Sequence, residues 1–276
     1  MSKKLSVIIP CYNHGAFLEE TIQSVVQSDP ERICEIIVIN DGSSDSKTLD
    51  VLTKLKNEKL TVIDQENLGL AGARNKGIEI SSCDYLLILD SDNKIRRDFI
   101  LKFTDLQSSG VSFDMLHGNA EYFGERKGCW PSAPLNLMRI CKTNYIDACS
   151  IIKKDSLIEL GMYDSQMPYM GWVDWDLWIR MATNKKVTLY FDEVFFDYRY
   201  ASDSMNRISI DKEGEIRKYF AKKYNLIFDS DQYEKLVKTI TEIQLNENLT
   251  IKKLFITLLF RLLRKFFKTN GLQINL

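Results

Sequence analysis

Large aliphatic residues gather in short runs along the first third of the chain, at 5–10, 36–39, 60–63 and 86–89, and each run ends in polar residues. Runs this short, bounded by turn residues, read as strands buried on both faces. Behind the first run lies the turn Cys11-Tyr12-Asn13-His14-Gly15, after which Phe17, Leu18, Ile22, Val25 and Val26 recur at helical spacing. The second run leaves through Asn40-Asp41-Gly42-Ser43-Ser44-Asp45 into a helix from about Lys47. The third precedes Asn67-Leu68-Gly69-Leu70-Ala71-Gly72-Ala73-Arg74-Asn75-Lys76-Gly77, where small residues let a helix start approach a flat ligand and Arg74 offers a planar charged fork. Strand, turn and helix in repetition predict an α/β fold, a largely parallel sheet with helices on both sides.

The second half follows a different rule. Residues 113–123 alternate loosely, as an edge or antiparallel strand would, 126–137 read as loop around Pro131 and Pro134, and 145–152 read as a further strand. Trp172, Trp175 and Trp178 stand three apart on one helix face, which for Trp175 and Trp178 predicts core packing. Asp174 and Asp176 then fall in the first turn of that helix, where its dipole favours a carboxylate. Strands are expected at 187–190 and 194–198, followed by a polar loop at 199–207 that could close over a ligand.

Composition changes little. Basic and acidic residues number 37 and 38, leaving a net charge of −1, so the chain as a whole is no nucleic-acid binder. Six scattered cysteines form no C-x-x-C pair and suit free thiols in a reducing compartment. No apolar stretch reaches the ~20 residues needed to cross a bilayer, and the first apolar run, ending at Pro10, is too short for a signal peptide. A cytoplasmic protein is expected. From Asp211 onward the chain reads as helical. In 251–268, Lys253, Arg261, Arg264, Lys265 and Lys268 face away from Phe255, Leu259, Leu262, Leu263, Phe266 and Phe267. That pattern suits a helix lying in a membrane interface, or one docked on protein.

The candidate chemistry sits where 86–89 breaks off into Asp90-Ser91-Asp92-Asn93, because open α/β sheets hold ligands at the C-terminal ends of their strands. Two carboxylates there can share one hard cation that also takes diphosphate oxygens. The plainer alternative is that Asp90 and Asp92 cap a helix beginning near Ile95. A dinucleotide site is set aside, because the glycines of 67–77 lack the G-x-G-x-x-G spacing and do not follow the first strand.

Taken together, these stretches resemble glycosyltransferase family 2, the inverting transferases of GT-A fold. The residues concerned are Val7-Ile8-Ile9-Pro10-Cys11-Tyr12-Asn13, the turn at 40–45, Asn67 and Gly69 with Ala73-Arg74-Asn75 and Gly77, Leu89-Asp90-Ser91-Asp92-Asn93, and 172–180. They keep the family's order and spacing over roughly 5–207. The resemblance implies that Pro10, Tyr12, Asn13 and Asp41 hold a nucleotide base, with Asn67 and Arg74 along the same pocket. It implies Asp90 on the ribose, Ser91 also among the nucleotide-binding residues, and Asp92 on Mn²⁺ or Mg²⁺ at the diphosphate. A carboxylate pair in the family corresponds here to Val173-Asp174, which leaves Asp174 as the expected general base and Asp176 as the runner-up, more suited to a structural place. Where relatives often carry a histidine this chain has Ala201, so the metal is expected to arrive mainly with the donor. Arg199, Ser204 or Arg207 are weaker candidates for gripping phosphates. His14 and His117 suit turn and strand better than a ligand set, with His117 toward the acceptor side.

The implied organisation is a GT-A catalytic domain at 1–210, with a nucleotide half at 1–95 and an acceptor half at 96–210, and a helical extension at 211–276. The implied activity is single transfer from a nucleotide-diphosphate sugar, UDP-linked by expectation, to a glycan or lipid-linked acceptor in bacterial surface polysaccharide synthesis. The amphipathic helix would hold the enzyme at the inner face of the cell membrane, or pair two subunits as a homodimer. Two alternatives stand beside this: an inactive or scaffolding homologue, motivated by Val173 and Ala201, and a nucleotidyltransferase. The latter would want a Gly-rich phosphate loop after the first strand, where this chain has Cys11-Tyr12-Asn13.

Overall fold

The computed structural model describes residues 5–29, 31–55, 60–201 and 212–224. Among the described residues nine strands form one sheet, in the order β3-β2-β1-β4-β8-β6-β9-β5, with β7 attached to β6. Its first half is built from β1 (Leu5–Cys11), α1 (Gly15–Ser28), β2 (Ile33–Asp41), α2 (Ser46–Lys54), β3 (Leu60–Gln65), α3 (Gly69–Ile80) and β4 (Tyr85–Ile88). These four strands are parallel. The alternation along β1 explains the two helix layers. Val7 and Ile9 join Leu18, Ile22 and Val25 of α1 in the main core, whereas Ile8 points to the opposite face, where α3 lies. That second face is closed by Ile37 and Ile39 of β2 against Ala73.

Gly77 shows how tightly α3 is seated. A Cβ there would stand 2.3 Å from Cγ2 of Ile8, closer than any carbon pair tolerates, so the helix would have to move. Gly77→Ala is expected to lower stability by about 1–3 kcal/mol, read as a fall in the urea unfolding midpoint.

After β4 come β5 (Lys94–Ile95), α4 (Arg97–Ser108), β6 (Met115–Gly124), β7 (Gly128–Trp130), α5 (Leu137–Lys142), β8 (Ile151–Lys153), α6 (Lys154–Glu159), α7 (Val173–Thr183), β9 (Thr188–Tyr200) and α8 (Glu213–Tyr224). Strand β8 runs antiparallel to both β4 and β6, and β9 runs parallel to β6. The C-terminal ends of β1, β2, β4, β6 and β9 and the N-terminal end of β8 therefore share one edge of the sheet.

Several expectations for the second half are corrected here. The strand expected over 145–152 is only Ile151–Lys153, because Asp147 turns the chain, its side chain accepting from the backbone N of Cys149 at 2.8 Å. The segment expected to be loop at 126–137 contains β7, and the two strands expected at 187–190 and 194–198 are one, Thr188–Tyr200. Extra residues between Tyr190 and Val194 bulge out where the register against His117 and Asn119 shifts. Nor do Asp90 and Asp92 cap a helix. Arg96 precedes α4 and no side chain caps it.

The chain divides into two compact units, Met1–Lys223 and Tyr224–Leu276. The first includes α8, which lies beyond the boundary expected at 210: Phe220 meets Trp175 edge to face at 5.2 Å, and Lys223 donates to Asp176. The amphipathic segment 251–268, Ser204 and Arg207 lie outside the described residues.

Candidate active site

Asp41 closes β2 at the shared edge. It is buried, and its Oδ1 accepts from Gln65 Nε2 at 2.7 Å and from the backbone N of Leu68 at 2.8 Å. Those bonds tie the end of β2 to the start of α3. Gly42 beside it has φ +73°, and a Cβ there would meet the backbone N of Asn67 at 2.8 Å, so the turn needs glycine twice over. Asn67 itself accepts from the backbone N of Gly69 at 3.2 Å, at the entrance to α3.

Asn13 takes a left-handed conformation, φ 50°, which asparagine tolerates better than most side chains. Its Oδ1 accepts from the backbone N of Ser44 and of Asp45, at 2.8 and 3.1 Å. Its side-chain oxygen is thereby spent on joining the first two turns. Pro10 is buried within β1 opposite Ile39, while Tyr12 is half exposed at the same edge. Ser91 is buried, its Oγ 2.9 Å from His14 Nδ1 and its carbonyl accepting from Thr21.

The centre of the site is Arg74. Only 2% exposed, its Nη2 donates to Asp90 Oδ1 at 2.7 Å, and the guanidinium lies 5.1 Å from the centroid of the Tyr163 ring. Tyr163 is positioned by Asn75, whose amide makes two 2.8 Å bonds to its backbone. Burial opposes the charge on Arg74, but Asp90, Tyr163 and Asp174 more than compensate and hold it firmly protonated. Asp174 is buried in the first turn of α7, accepting from Asn144 Nδ2 at 3.0 Å and from the backbone N of Trp175 at 2.9 Å. Burial pushes its pKa up to about 6; Arg74, Asn144 and Trp175 restrain the rise and Asp90 adds to it. Asp92 is pushed up to about 7, first by burial and then by the charge of Asp90, with Arg199 opposing.

A fourth carboxylate escaped the sequence reading. Asp147, in the irregular segment before β8, is raised well above its ordinary range by burial, by Asp90 and by Asp174, with Arg74 opposing. The signal was present as one acid interrupting the apolar stretch 145–152. Around it the segment is pinned by α7, since Trp178 donates to the carbonyl of Ile146 at 2.9 Å and Trp175 to that of Ile140. Both indoles are fully buried, as core packing requires.

Three comparisons bear on this arrangement. The family described as Glycosyl transferase family 2 matches residues 6–161, more than half of the chain. The chain belongs to glycosyltransferase family 2. Glycosyltransferase GlyA of Streptococcus pneumoniae is 32% identical over 131 residues, 45% of this chain and 18% of GlyA. Poly-beta-1,6-N-acetyl-D-glucosamine synthase of Staphylococcus aureus is 40% identical over 96 residues, 34% of this chain and 23% of that protein. The family 2 chain thus spans less than half the length of these curated relatives. Staphylococcus aureus TarS 1–349, solved in complex with UDP-GlcNAc, shares the fold with a TM-score of 0.65 at 19% identity, covering 82% of this chain and 67% of that one. A complex of the same protein with UDP gives 0.60 at 20% identity, over 72% and 61%. The mixed sheet flanked by helices is accordingly the GT-A fold.

Family 2 membership implies a divalent ion at the paired aspartates, and the residues present fit one. A half-buried Asp92 crowded by Asp90 is a carboxylate pair that a hard cation would relieve. Among the described residues no group of three or more His, Cys, Asp or Glu could hold a metal alone, so the remaining ligands would be diphosphate and water oxygens. Arg199 secures the neighbourhood: its Nε donates to the carbonyl of Asp92 at 3.1 Å, its backbone N to Asn93 Oδ1 at 2.9 Å, and its guanidinium pairs with Glu20 over Phe17 and Phe123. Asp176 is fully buried between Arg180, at 2.7 Å, and Lys223, at 2.7 Å. It fastens α8 to α7. His117 is buried on β6, with Nδ1 3.2 Å from Ser132 Oγ, and burial lowers its pKa to about 4, so it is neutral.

Proposed function

We propose that this chain transfers a sugar from a UDP-linked donor to a hydroxyl of a glycan or lipid-linked acceptor, with inversion and with Mn²⁺ or Mg²⁺, in the assembly of a surface polysaccharide. One observation carries the reading: Arg74 binds Asp90 and lies within the field of Asp174, so carboxylates from the end of β4 and from α7 are gathered around one buried guanidinium. The bound nucleotides of the TarS complexes favour UDP.

In this mechanism the turns after β1 and β2, with Asp41, hold the base, and Asp90 orients the nucleotide sugar. Asp92 holds the divalent ion, which when bound would stabilise charge on the departing diphosphate. Asp174 takes the proton of the acceptor hydroxyl as the acceptor oxygen bonds to the anomeric carbon and the carbon–oxygen bond to the diphosphate breaks. Attack from the face opposite the leaving group inverts the carbon. A base with a pKa near 6 is ionised at neutral pH, yet basic enough to accept the proton.

The test is a screen of nucleotide sugars for release of nucleotide diphosphate with acceptor present, with and without Mn²⁺. Metal-dependent release of UDP supports the reading, and absence of release from every donor ends it. Asp92→Asn is expected to weaken UDP binding in Mn²⁺ by more than about tenfold while leaving metal-free binding unchanged, as calorimetry would record. No described helix is long and apolar enough to cross a membrane. Attachment to the inner face of the membrane therefore rests on the basic amphipathic pattern of 251–268, and binding to anionic vesicles would test it.

A further inference from the structure

We propose that Tyr122, Trp130 and Tyr198 form a subsite that binds a sugar ring of the acceptor. This rests on the transferase reading and deepens it by naming the acceptor surface.

Along β6 and its neighbours, Tyr122 stands opposite Tyr198 on β9, and Ala120, two residues earlier on the same face, stands opposite Trp130 on β7. The pleat places these side chains on one face of the sheet, while Phe123 and Arg199 point to the other, against Phe17 of α1. The rings meet accordingly. Tyr122 and Trp130 are nearly parallel, 11° apart with centroids at 6.2 Å, and Tyr198 stands edge-on to both, at 5.9 and 5.1 Å. None of the three is fully buried. Arg126, exposed on the β6–β7 turn, lies over Tyr122 at 4.2 Å, a contact worth only about 0.5–1 kcal/mol in water and readily exchanged for a ligand.

Position ties this cluster to the catalytic centre. The C-terminal ends of β6 and β9 share the sheet edge with the end of β4, which leads to Asp90, and with the start of β8, which follows Asp147. Burial raises the Tyr122 pKa, Arg126 lowers it, and Tyr200 and Asp147 raise it further. The carboxylate that feels Asp90 and Asp174 is therefore also felt by the aromatic cluster. A sugar ring carries an apolar face of C–H groups and a belt of hydroxyls. Partly exposed aromatic rings suit the first, and carboxylates at the same sheet edge can accept from the second.

The experiment measures binding. A panel of short neutral oligosaccharides, including a β-1,6-linked N-acetylglucosamine trimer, is titrated into the full chain with UDP present, and saturation-transfer NMR reports which ring protons contact the protein. Tyr122→Leu and Trp130→Leu keep apolar bulk and remove the aromatic face. At least about a tenfold loss of saccharide affinity, with UDP affinity within twofold of wild type, supports the subsite. Should Trp130→Leu not fold, Tyr122→Leu decides alone. Unchanged saccharide affinity in the folded variant, or no saccharide binding by the UDP-bound wild type, overturns the subsite and leaves the donor reading intact. Saccharide binding that depends on Tyr122 in a protein that binds no nucleotide would retain the subsite and overturn the donor reading instead.

Discussion

Replacing Asp174 by asparagine is expected to reduce sugar transfer by about a thousandfold, within the range that a positioned general base contributes, while UDP affinity stays close to wild type. The side chain accepts two hydrogen bonds, from Asn144 and Trp175, and asparagine can keep at least one of them, so the helix start should survive. What is lost is the ability to accept a proton. In the wild type the same chemistry sets the pH profile. With a pKa near 6, the carboxylate is protonated below that value, and transfer should fall about tenfold per pH unit under it. Asp174→Asn should abolish that limb.

Stability should respond in the opposite direction. A carboxyl whose folded pKa lies above its unfolded value of 3.8 favours the folded state below 3.8 and loses that contribution as pH rises through about 6. Asparagine carries no such penalty. At pH 8 the variant should be as stable as wild type or more so, by up to about 3 kcal/mol, and the advantage should be about half as large at pH 5 and vanish below about pH 3.8. Normal transfer by Asp174→Asn would move the base elsewhere, with Asp147 the next carboxylate to replace.

Arg74→Met is expected to be the most destabilising change in the site, by about 3–5 kcal/mol, a large part of the stability of an ordinary domain. The guanidinium is buried and pairs with Asp90, and its charge offsets the crowding of Asp147 and Asp174. Without it those carboxylates repel one another in a place poorly reached by water. Their pKa values should rise further, so the variant should regain stability as pH falls from 8 to 5. Urea unfolding at both pH values would show this, and equal midpoints for variant and wild type at pH 8 would refute it. Arg74→Lys should fall between, since an ammonium keeps the charge and loses the planar fork that lies against Tyr163.

Within the site, what the pattern of residues made legible was unequal. Asp41, Asp90 and Asp92 stand at the ends of aliphatic runs, and a switch from apolar to acidic at a strand end is visible in one dimension. Trp175 and Trp178 announced a buried helix face by spacing alone. Asp147 could not be read in this way. Its importance depends on β8 pairing antiparallel with β4, which brings residues far apart in the chain to one edge. Asn13 was read toward the nucleotide, yet its amide oxygen holds the neighbouring turn, because a left-handed residue between two loops is well placed to satisfy their backbone N–H groups.

The sequence by itself determined the parallel half of the sheet, its two helix layers and the acidic strand ends, since local hydrophobic period and turn chemistry act over a few residues and need no partner. Only the tertiary structure decided that Arg74 is shared by carboxylates from separate segments, that Asp176 is buried between Arg180 and Lys223, and that aromatic side chains of three strands meet on one face of the sheet. These outcomes depend on strand order and on burial, which shift charges and expose faces through contacts between segments distant in the chain.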